Sequence, residues 1–176
     1  MSLVDFTPAD YPRLIRWVDS AELNLLWGGP TYSFPLTATQ ITDHLANPQF
    51  VPYLFEHQGD IVGFVELYQV EPHHSRLCRV FIDPAYRGRG LARAMLQAAI
   101  RQAVERFEAQ AVSLSVFSHN RSALRCYQSL GFHITATAPF GDQGLELTTM
   151  RLIPSSHDAV MPQLFDVSAG SPQSGQ

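Results

Sequence analysis

The chain has 176 residues, of which 45% are hydrophobic and 16% charged, and its formal net charge at pH 7 is −4. These values are typical of one globular domain with a sizeable core and exclude a disordered or fibrous chain. The acidic balance argues against a nucleic-acid partner, and no run is long and apolar enough to predict a membrane partner. Two cysteines are too few for a disulfide framework, so the sequence predicts a reduced, cytoplasmic protein.

The N-terminal half of the chain predicts a strand, two helices and a hairpin. A short strand over residues 3–6 leads into a Thr-Pro pair, which supplies a helix N-cap and a proline in the first turn. A capping box over residues 37–40 begins the second helix. Two runs rich in β-forming residues, 50–56 and 61–70, flank a short polar turn and therefore predict a hairpin.

The next stretch predicts a parallel pair of strands joined by a helix. Residues 77–82 form a strand, and apolar residues at helical spacing then predict a long helix from about Gly88 to Phe107. A second strand follows over residues 111–117. Strand–helix–strand units of this length cross over with right-handed connections, and their two strands lie parallel.

The remaining sequence predicts a last helix over residues 120–130 and two closing strands at 132–138 and 144–152. Together these elements define one domain over residues 1–153. Residues 154–176 are rich in Ser, Pro, Gly and Gln, and this composition predicts a flexible C-terminal tail.

The turn before the long helix has the chemistry of a phosphate site. Gly88 and Gly90 lack a Cβ, so an anion can approach the backbone, and the first-turn amides of a helix have no internal partner. Arginines at positions 87, 89 and 93 add positive charge. A Walker loop needs a lysine, which the chain lacks, and a dinucleotide fingerprint needs a small residue where Arg93 stands.

Two motifs in this half of the chain resemble those of the GNAT superfamily of N-acetyltransferases. The pattern Arg/Gln-x-x-Gly-x-Gly/Ala matches residues 87–92, and Asn-x-x-Ala-x-x-x-Tyr-x-x-x-Gly-Phe matches residues 120–132 at every anchor. The resemblance covers residues 2–152. It implies an α/β (α+β) fold with a mixed, mostly antiparallel sheet, a central splayed parallel pair and several flanking helices, about four by our count of predicted elements. It also implies acetyl transfer from acetyl-CoA to an amine without a covalent enzyme intermediate, and no metal.

The resemblance further assigns residues to an acetyl-CoA site. Tyr127 would protonate the departing thiolate, although its position also suits a core aromatic residue. Asn120 would hydrogen-bond the cofactor, cap the last helix, or do both. An amide of Phe81 or Ile82 would donate to the thioester carbonyl. Besides Asn120, the expected cofactor-binding positions lie at the end of this strand and in the phosphate turn: Val80, Phe81, Ile82, Arg87, Gly88, Arg89, Gly90, Leu91, Ala92 and Arg93.

The resemblance does not assign a general base. Relatives carry a glutamate on one of two strands, and here Ser115 and Arg76 stand at those positions. The remaining candidates are water and four side chains on or near the neighbouring strand: Glu66, Glu71, His73 and His74. Each of these side chains is equally compatible with a structural role.

A site without a dedicated base favours an acceptor amine that is already partly neutral. Freeing a lysine ε-amine at pH 7 costs roughly 4–5 kcal/mol, whereas freeing an α-amine costs about 1 kcal/mol. The expected acceptor is therefore a small amine, an amino acid or a peptide N-terminus. Trp27 and Tyr32, beside a glycine-rich break, either cover the core or form a wall of the acceptor pocket.

Two other functions are compatible with parts of the sequence. A catalytically weak module that binds or senses acyl-CoA would explain the missing carboxylate, but the intact Tyr127 argues against it. A nucleotide- or RNA-binding domain would use the arginines of the phosphate turn, and the acidic net charge argues against that function. The resemblance also makes a homodimer possible.

Overall fold

The computed structural model of the chain describes residues 1–155. Within this range seven strands form one sheet: β1 (Ser2–Asp5), β2 (Phe50–His57), β3 (Asp60–Glu71), β4 (His74–Ile82), β5 (Ala111–Phe117), β6 (His133–Phe140) and β7 (Leu145–Leu152). The flanking α-helices are α1 (Tyr11–Trp17), α2 (Ala21–Gly28), α3 (Ala38–Leu45), α4 (Leu91–Phe107) and α5 (Arg121–Ser129). The strand order across the sheet is β1-β2-β3-β4-β5-β7-β6.

The middle of the sheet contains the predicted parallel pair. β4 and β5 pair at three positions only, the last of which is Arg76 opposite Ser113. The other neighbouring strands of the described sheet are antiparallel. Beyond Arg76, β4 continues to Ile82 and β5 to Phe117 without a shared ladder, so the two strands splay apart. The predicted fold class is confirmed.

Core side chains lie on both faces of the sheet because successive strand residues point in opposite directions. On one face, α4 and α5 pack over a cluster that includes Leu67 of β3 and Met95 of α4. On the other face, α1, α2 and α3 pack over a cluster that includes Phe64 and Phe81. Helices therefore cover β3 and β4 on both faces, and the free edge of β4 forms one side of the splay.

Three features differ from the sequence predictions, each for a local reason. β4 begins at His74 rather than at residue 77, because a two-residue turn joins it directly to β3. α4 begins at Leu91 rather than at Gly88, because Gly88 and Gly90 adopt left-handed φ angles of 76° and 74°. The apolar run after α1 forms a helix of its own, α2, so the described residues contain five α-helices rather than about four.

Part of the predicted organisation lies outside the described residues. The tail predicted over 154–176 is described only to residue 155, so the domain boundary at 153 stays a prediction. Within residues 1–155, no helix is long and apolar enough to cross a membrane, and no group of three or more potential ligands could hold a metal ion. Cys78 and Cys126 are both free thiols.

Candidate functional site

The splay between β4 and β5 opens into a cavity of about 750 Å³. β4 lines it from Arg76 to Val80, and β5 lines it from Leu114 to Phe117. Most of the remaining lining comes from two places. One is the start of α5 together with Tyr127, and the other is α2 with the loop that follows it. Three of the residues that the sequence assigns to the acetyl-CoA site, Val80, Asn120 and Tyr127, therefore share one cavity.

The phosphate turn lies beyond the end of β4, outside the lining of this cavity. Gly88 and Gly90 need their left-handed φ angles, which residues with a side chain rarely adopt. A Cβ at either glycine would meet no atom within 4 Å, so the protein interior does not exclude one. No described side chain caps the first turn of α4, and its amides can therefore receive an anion.

The arginines of the phosphate turn are exposed and form no ion pair with a carboxylate among residues 1–155. Their hydrogen bonds to backbone carbonyls are Arg87 Nε to Ile82 (3.0 Å), Arg89 Nη2 to Ala85 (3.3 Å) and Arg93 Nη2 to Ser129 (3.4 Å). Leu91 is buried in the core and Ala92 is half-buried, so these two residues anchor the start of the helix. Only the arginines present charge to solvent here.

α5 presents both key residues of the second motif to the cavity. Asn120 Oδ1 accepts the Ala123 amide at 3.2 Å, which confirms that Asn120 caps the helix and leaves its side-chain N–H₂ group without a described partner. Tyr127 is 7% exposed, and its ring packs edge-on against Phe132. Burial raises the pKa of the Tyr127 phenol, so the hydroxyl stays protonated at neutral and mildly alkaline pH. Tyr127 is thus both a core residue and a cavity residue.

A bulge in β4 sets the direction of its backbone beside the cavity. The register with β3 shifts after Phe64, so that β4 carries one residue more than β3 over this stretch. Arg79 takes up the difference with a φ of 51°, a conformation that non-glycine residues seldom adopt. Trp27 Nε1 donates to the Arg79 carbonyl at 2.8 Å and so holds this peptide from the side of α2.

The end of β4 indicates which backbone amides face the splay. The Asp83 amide donates to the Val62 carbonyl on β3 at 2.9 Å. Because successive residues of a regular strand direct their amides to opposite edges, the amide of Ile82 faces β5, whereas that of Phe81 faces β3. This alternation favours Ile82 over Phe81 as the donor to the thioester carbonyl.

Glu66 is buried and already paired, which argues against a role as the general base. Its carboxylate accepts from Arg79 Nε at 3.0 Å and lies 3.0 Å from His44 Nε2, and its side chain is 0% exposed. Burial alone would lower the pKa of Arg79, but the adjacent Glu66 carboxylate raises it above its usual value, so the guanidinium stays charged. Arg79 Nη1 also donates to Thr31 Oγ1 at 3.3 Å. These contacts connect β3, β4, α3 and the loop after α2.

The Glu66→Gln variant is expected to be much less stable than the wild type. Breaking a buried ion pair leaves the remaining charge uncompensated, at a cost of about 3–5 kcal/mol in the free energy of unfolding. Urea denaturation would measure the change, with the exposed Glu105→Gln as a matched control that should shift it by less than about 0.5 kcal/mol. Unchanged stability together with a large loss of kcat would instead identify Glu66 as the base.

The other candidate bases lie outside the cavity lining. His73 Nδ1 lies 3.0 Å from a backbone carbonyl oxygen after α4, and His74 Nε2 lies 2.8 Å from a serine hydroxyl on β5. Glu71 lies 3.4 Å from the other ring nitrogen of His74. Among the described residues the cavity does contain one histidine, His119, which no sequence pattern singled out although it directly precedes Asn120.

The two positions at which relatives carry a glutamate face each other at the closed end of the splay. Arg76 Nη2 donates to Ser115 Oγ at 2.7 Å, and Ser115 Oγ lies 3.3 Å from Thr149 Oγ1. Neither Arg76 nor Ser115 is a carboxylate base. Among the described residues that line the cavity there is no Asp or Glu at all.

Cys78 lines the cavity but does not suit a nucleophilic role. Burial raises the pKa of its thiol to about 11, even though the Arg79 charge nearby acts to lower it. The thiol is therefore protonated at neutral pH, and the thiolate is the nucleophilic form. This agrees with transfer that does not pass through an acetylated cysteine.

The aromatic residues around α2 combine the two roles that the sequence left open. Trp27 is 8% exposed and belongs to the core cluster beneath α1–α3, yet it also lines the cavity. Tyr32 stacks on Trp27 with ring centroids 5.7 Å apart but is not part of the lining. Trp27 is therefore a wall residue, and Tyr32 supports it.

Comparisons with known proteins agree with this architecture. A family model described as acetyltransferase (GNAT) family matches residues 14–132. The chain is 32% identical over 102 residues to a spermine/spermidine N(1)-acetyltransferase of Bacillus subtilis, an alignment that covers 53% of this chain and 66% of that protein. It is 35% identical over 100 residues to the N-alpha-acetyltransferase daf-31 of Caenorhabditis elegans, with coverage of 54% and 55%.

Solved structures share the fold at low sequence identity. Spermidine N-acetyltransferase from Vibrio cholerae, in complex with CoA and spermine, superposes with a TM-score of 0.74 at 15% identity, over 86% of this chain and 94% of that chain. Ribosomal-protein-alanine N-acetyltransferase from Brucella melitensis gives a TM-score of 0.69 at 21% identity, over 88% and 100%. At these identities the likeness establishes the fold alone.

The chain therefore has the fold of the N-acetyltransferases with which it superposes. The family model spans more than half of the chain, and the chain belongs to the acetyltransferase (GNAT) family. The family predicted from the two motifs is thereby confirmed. Because the alignment spans 66% of the length of the Bacillus subtilis relative, the acceptor and the assembly of this chain are matters for proposal.

Proposed function

We propose that the protein transfers the acetyl group of acetyl-CoA to the primary amine of a small amine, an amino acid or a peptide N-terminus, by direct attack in a ternary complex. The observation that carries this proposal is the unpaired edge of β4 and β5 with Tyr127 in the same cavity. The names of the relatives, which include polyamine and N-terminal acetyltransferases, support an amine acceptor. Acetyl-CoA is the co-substrate, and the mechanism uses no metal.

Three parts of the chain suit acetyl-CoA. The open backbone of β4, from Val80 to Ile82, would pair with the amides of the pantetheine arm as an added strand would. The first-turn amides of α4 and the arginines at 87, 89 and 93 would bind the diphosphate. The side-chain N–H₂ of Asn120 would donate to the pantetheine arm while its oxygen caps α5.

Different groups around the thioester would then stabilise the transition state and supply the proton to the leaving group. The Ile82 amide would donate to the carbonyl oxygen, where negative charge grows as the amine attacks. The amine nitrogen forms the new C–N bond and gives one proton to water, and the C–S bond breaks so that the sulfur leaves with its bonding electron pair. The Tyr127 hydroxyl would supply the proton that the sulfur takes up, a role that suits a phenol kept protonated by burial.

The place and assembly of the enzyme follow as further proposals. Free thiols at Cys78 and Cys126 support a reducing compartment, for which the cytoplasm is the proposed location. One of the solved structures with this fold is named as dodecameric, which supports self-association in the family. A homodimer is the smallest such assembly and is proposed for this chain.

Release of free CoA thiol tests the proposed function. Mixing the full chain with acetyl-CoA and a panel of primary amines should release thiol in proportion to acetylated amine, and omitting the amine should abolish the release. Initial rates should follow a sequential pattern, because both substrates must be bound together. Calorimetric binding of acetyl-CoA without thiol release for any amine would reject an enzyme and favour a sensor.

The pH dependence of kcat/KM should follow the acceptor rather than the enzyme. The rate is expected to rise with pH until the amine is neutral, near pH 8 for the α-amine of a peptide and near pH 10 for an ε-amine. Because burial raises the pKa of Tyr127, loss of its proton should cause no fall in rate below about pH 10. Profiles for two acceptors of different amine pKa would measure this, and a rising limb that stays fixed for both would instead assign an enzymatic base.

A further inference from the structure

The charged residues that line the cavity have one sign. Within residues 1–155 the lining contains three arginines, Arg76, Arg79 and Arg121, and no aspartate or glutamate. A polyamine acceptor, such as those in the names of several relatives, carries several positive charges and would meet no carboxylate there. The lining therefore disagrees with a polycationic acceptor.

The three arginines are not equivalent. Arg79 is compensated by the buried carboxylate of Glu66, and its guanidinium also contacts His44 and Thr31. Arg121 is exposed at the start of α5, where water screens its charge. Arg76 is the half-buried arginine of the lining without a compensating carboxylate, because its described partner is the neutral Ser115 hydroxyl at 2.7 Å.

Arg76 also occupies the position that suits an acceptor. It is the last β4 residue of the parallel ladder, so its side chain lies where the splay begins. Its donation to Ser115 Oγ directs one nitrogen across the gap to β5. A guanidinium has five N–H donors, and the described contact to Ser115 uses only Nη2. The remaining donors match a carboxylate in the bidentate geometry that arginine favours.

We propose that the acceptor is a small amine with an anionic group beside the amine, of which an amino acid carboxylate is the simplest case, and that Arg76 binds this group. The proposal rests on the proposed acetyl transfer and names its substrate class. Arg76 thereby holds the acceptor by its anion at the closed end of the splay. The amine, two bonds from the carboxylate carbon in an α-amino acid, is then directed towards the thioester beside Val80 and Ile82.

A matched panel of acceptors tests the proposal on the wild-type chain. The panel contains leucine, phenylalanine and serine, each with its amide, its decarboxylated amine and its aminophosphonate analogue, together with spermidine. The amide has the lower amine pKa and would react faster if charge were not recognised. We expect the amino acid to exceed its amide and its decarboxylated amine by roughly tenfold or more in kcat/KM. Faster reaction of the aminophosphonate would support the same site and assign it to phosphate-like anions.

Substitution of Arg76 identifies the residue responsible. Arg76→Gln should lower kcat/KM for the amino acid by roughly ten- to a hundredfold, while the value for the amide changes by less than about threefold and the KM for acetyl-CoA is unchanged. Arg76→Lys should retain part of the preference. Arg151→Gln, an exposed arginine on β7 outside the lining, is the matched control and should leave both values unchanged.

The results that would overturn the proposal are distinct from those that reject acetyl transfer. Fastest thiol release with spermidine, or equal rates with the amino acid and its amide, would overturn the anionic acceptor and leave the enzyme proposal intact. An amino acid preference that survives Arg76→Gln would overturn the role of Arg76. Absence of thiol release with every amine would overturn both proposals. The wild-type panel decides the acceptor class even if a variant fails to fold.

Discussion

Replacing Tyr127 with phenylalanine is expected to lower kcat by roughly a hundredfold or more while leaving the KM for acetyl-CoA nearly unchanged. A positioned general acid contributes about 10²–10⁴ in rate, and the phenylalanine ring keeps the packing against Phe132. Burial raises the pKa of the phenol, so the wild-type residue is protonated throughout the assay range. Steady-state kinetics by thiol release would measure the loss.

Tyr53→Phe is the matched control for this prediction. The Tyr53 hydroxyl accepts from Arg106 Nη1 at 2.8 Å, is also buried, and lies outside the cavity lining. Its removal should cost about 1 kcal/mol of stability and leave kcat unchanged. If Tyr127→Phe retained full kcat, the hydroxyl would have no part in the chemistry and water would protonate the thiolate.

Reversing two charges in the phosphate turn should nearly abolish the use of acetyl-CoA. In the double variant Arg87→Glu/Arg89→Glu, two charge-assisted contacts to the diphosphate are lost and replaced by repulsion. Each such hydrogen bond contributes about 1.5–3 kcal/mol, so the KM for acetyl-CoA should rise by roughly a hundredfold or more. Calorimetry should show a matching loss of affinity, and saturating acetyl-CoA should restore much of kcat.

The control for the double variant carries the same change in net charge elsewhere. Arg16→Glu/Arg101→Glu alters exposed residues of α1 and α4, both outside the phosphate turn. It should leave the KM for acetyl-CoA unchanged if the effect is local. An equal rise in KM for both double variants would assign the effect to long-range charge and remove the phosphate turn from the binding site.

The parts of the site that lie within one local segment could be predicted from the sequence. The phosphate turn occupies residues 87–93, where the glycines act through backbone conformation and the arginines through charge. The second motif likewise encodes both the cap at Asn120 and the cavity position of Tyr127 in the same helix. Spacing within a single turn or helix is fixed by covalent geometry, so sequence patterns report it well.

The parts that depend on contacts between distant strands could not be predicted. Glu66 stands among apolar residues in the buried middle of β3, and only the assembled sheet shows that Arg79 and His44 meet it. That meeting requires the bulge in β4, and no local pattern marks a left-handed arginine within a strand. The contact between Arg76 and Ser115 likewise depends on where the ladder between β4 and β5 ends.

The short ladder between β4 and β5 has a mechanical consequence. Within residues 1–155 it is the only strand pairing that joins β1–β4 to the three strands β5, β7 and β6, and it ends at Arg76. A pantetheine arm lying in the splay would hydrogen-bond to the backbone of β4 and β5 and so connect both halves of the sheet. Any ligand that binds only the folded chain also stabilises it. Binding of acetyl-CoA in the splay is therefore expected to join the two halves of the sheet and to stabilise the folded chain against unfolding.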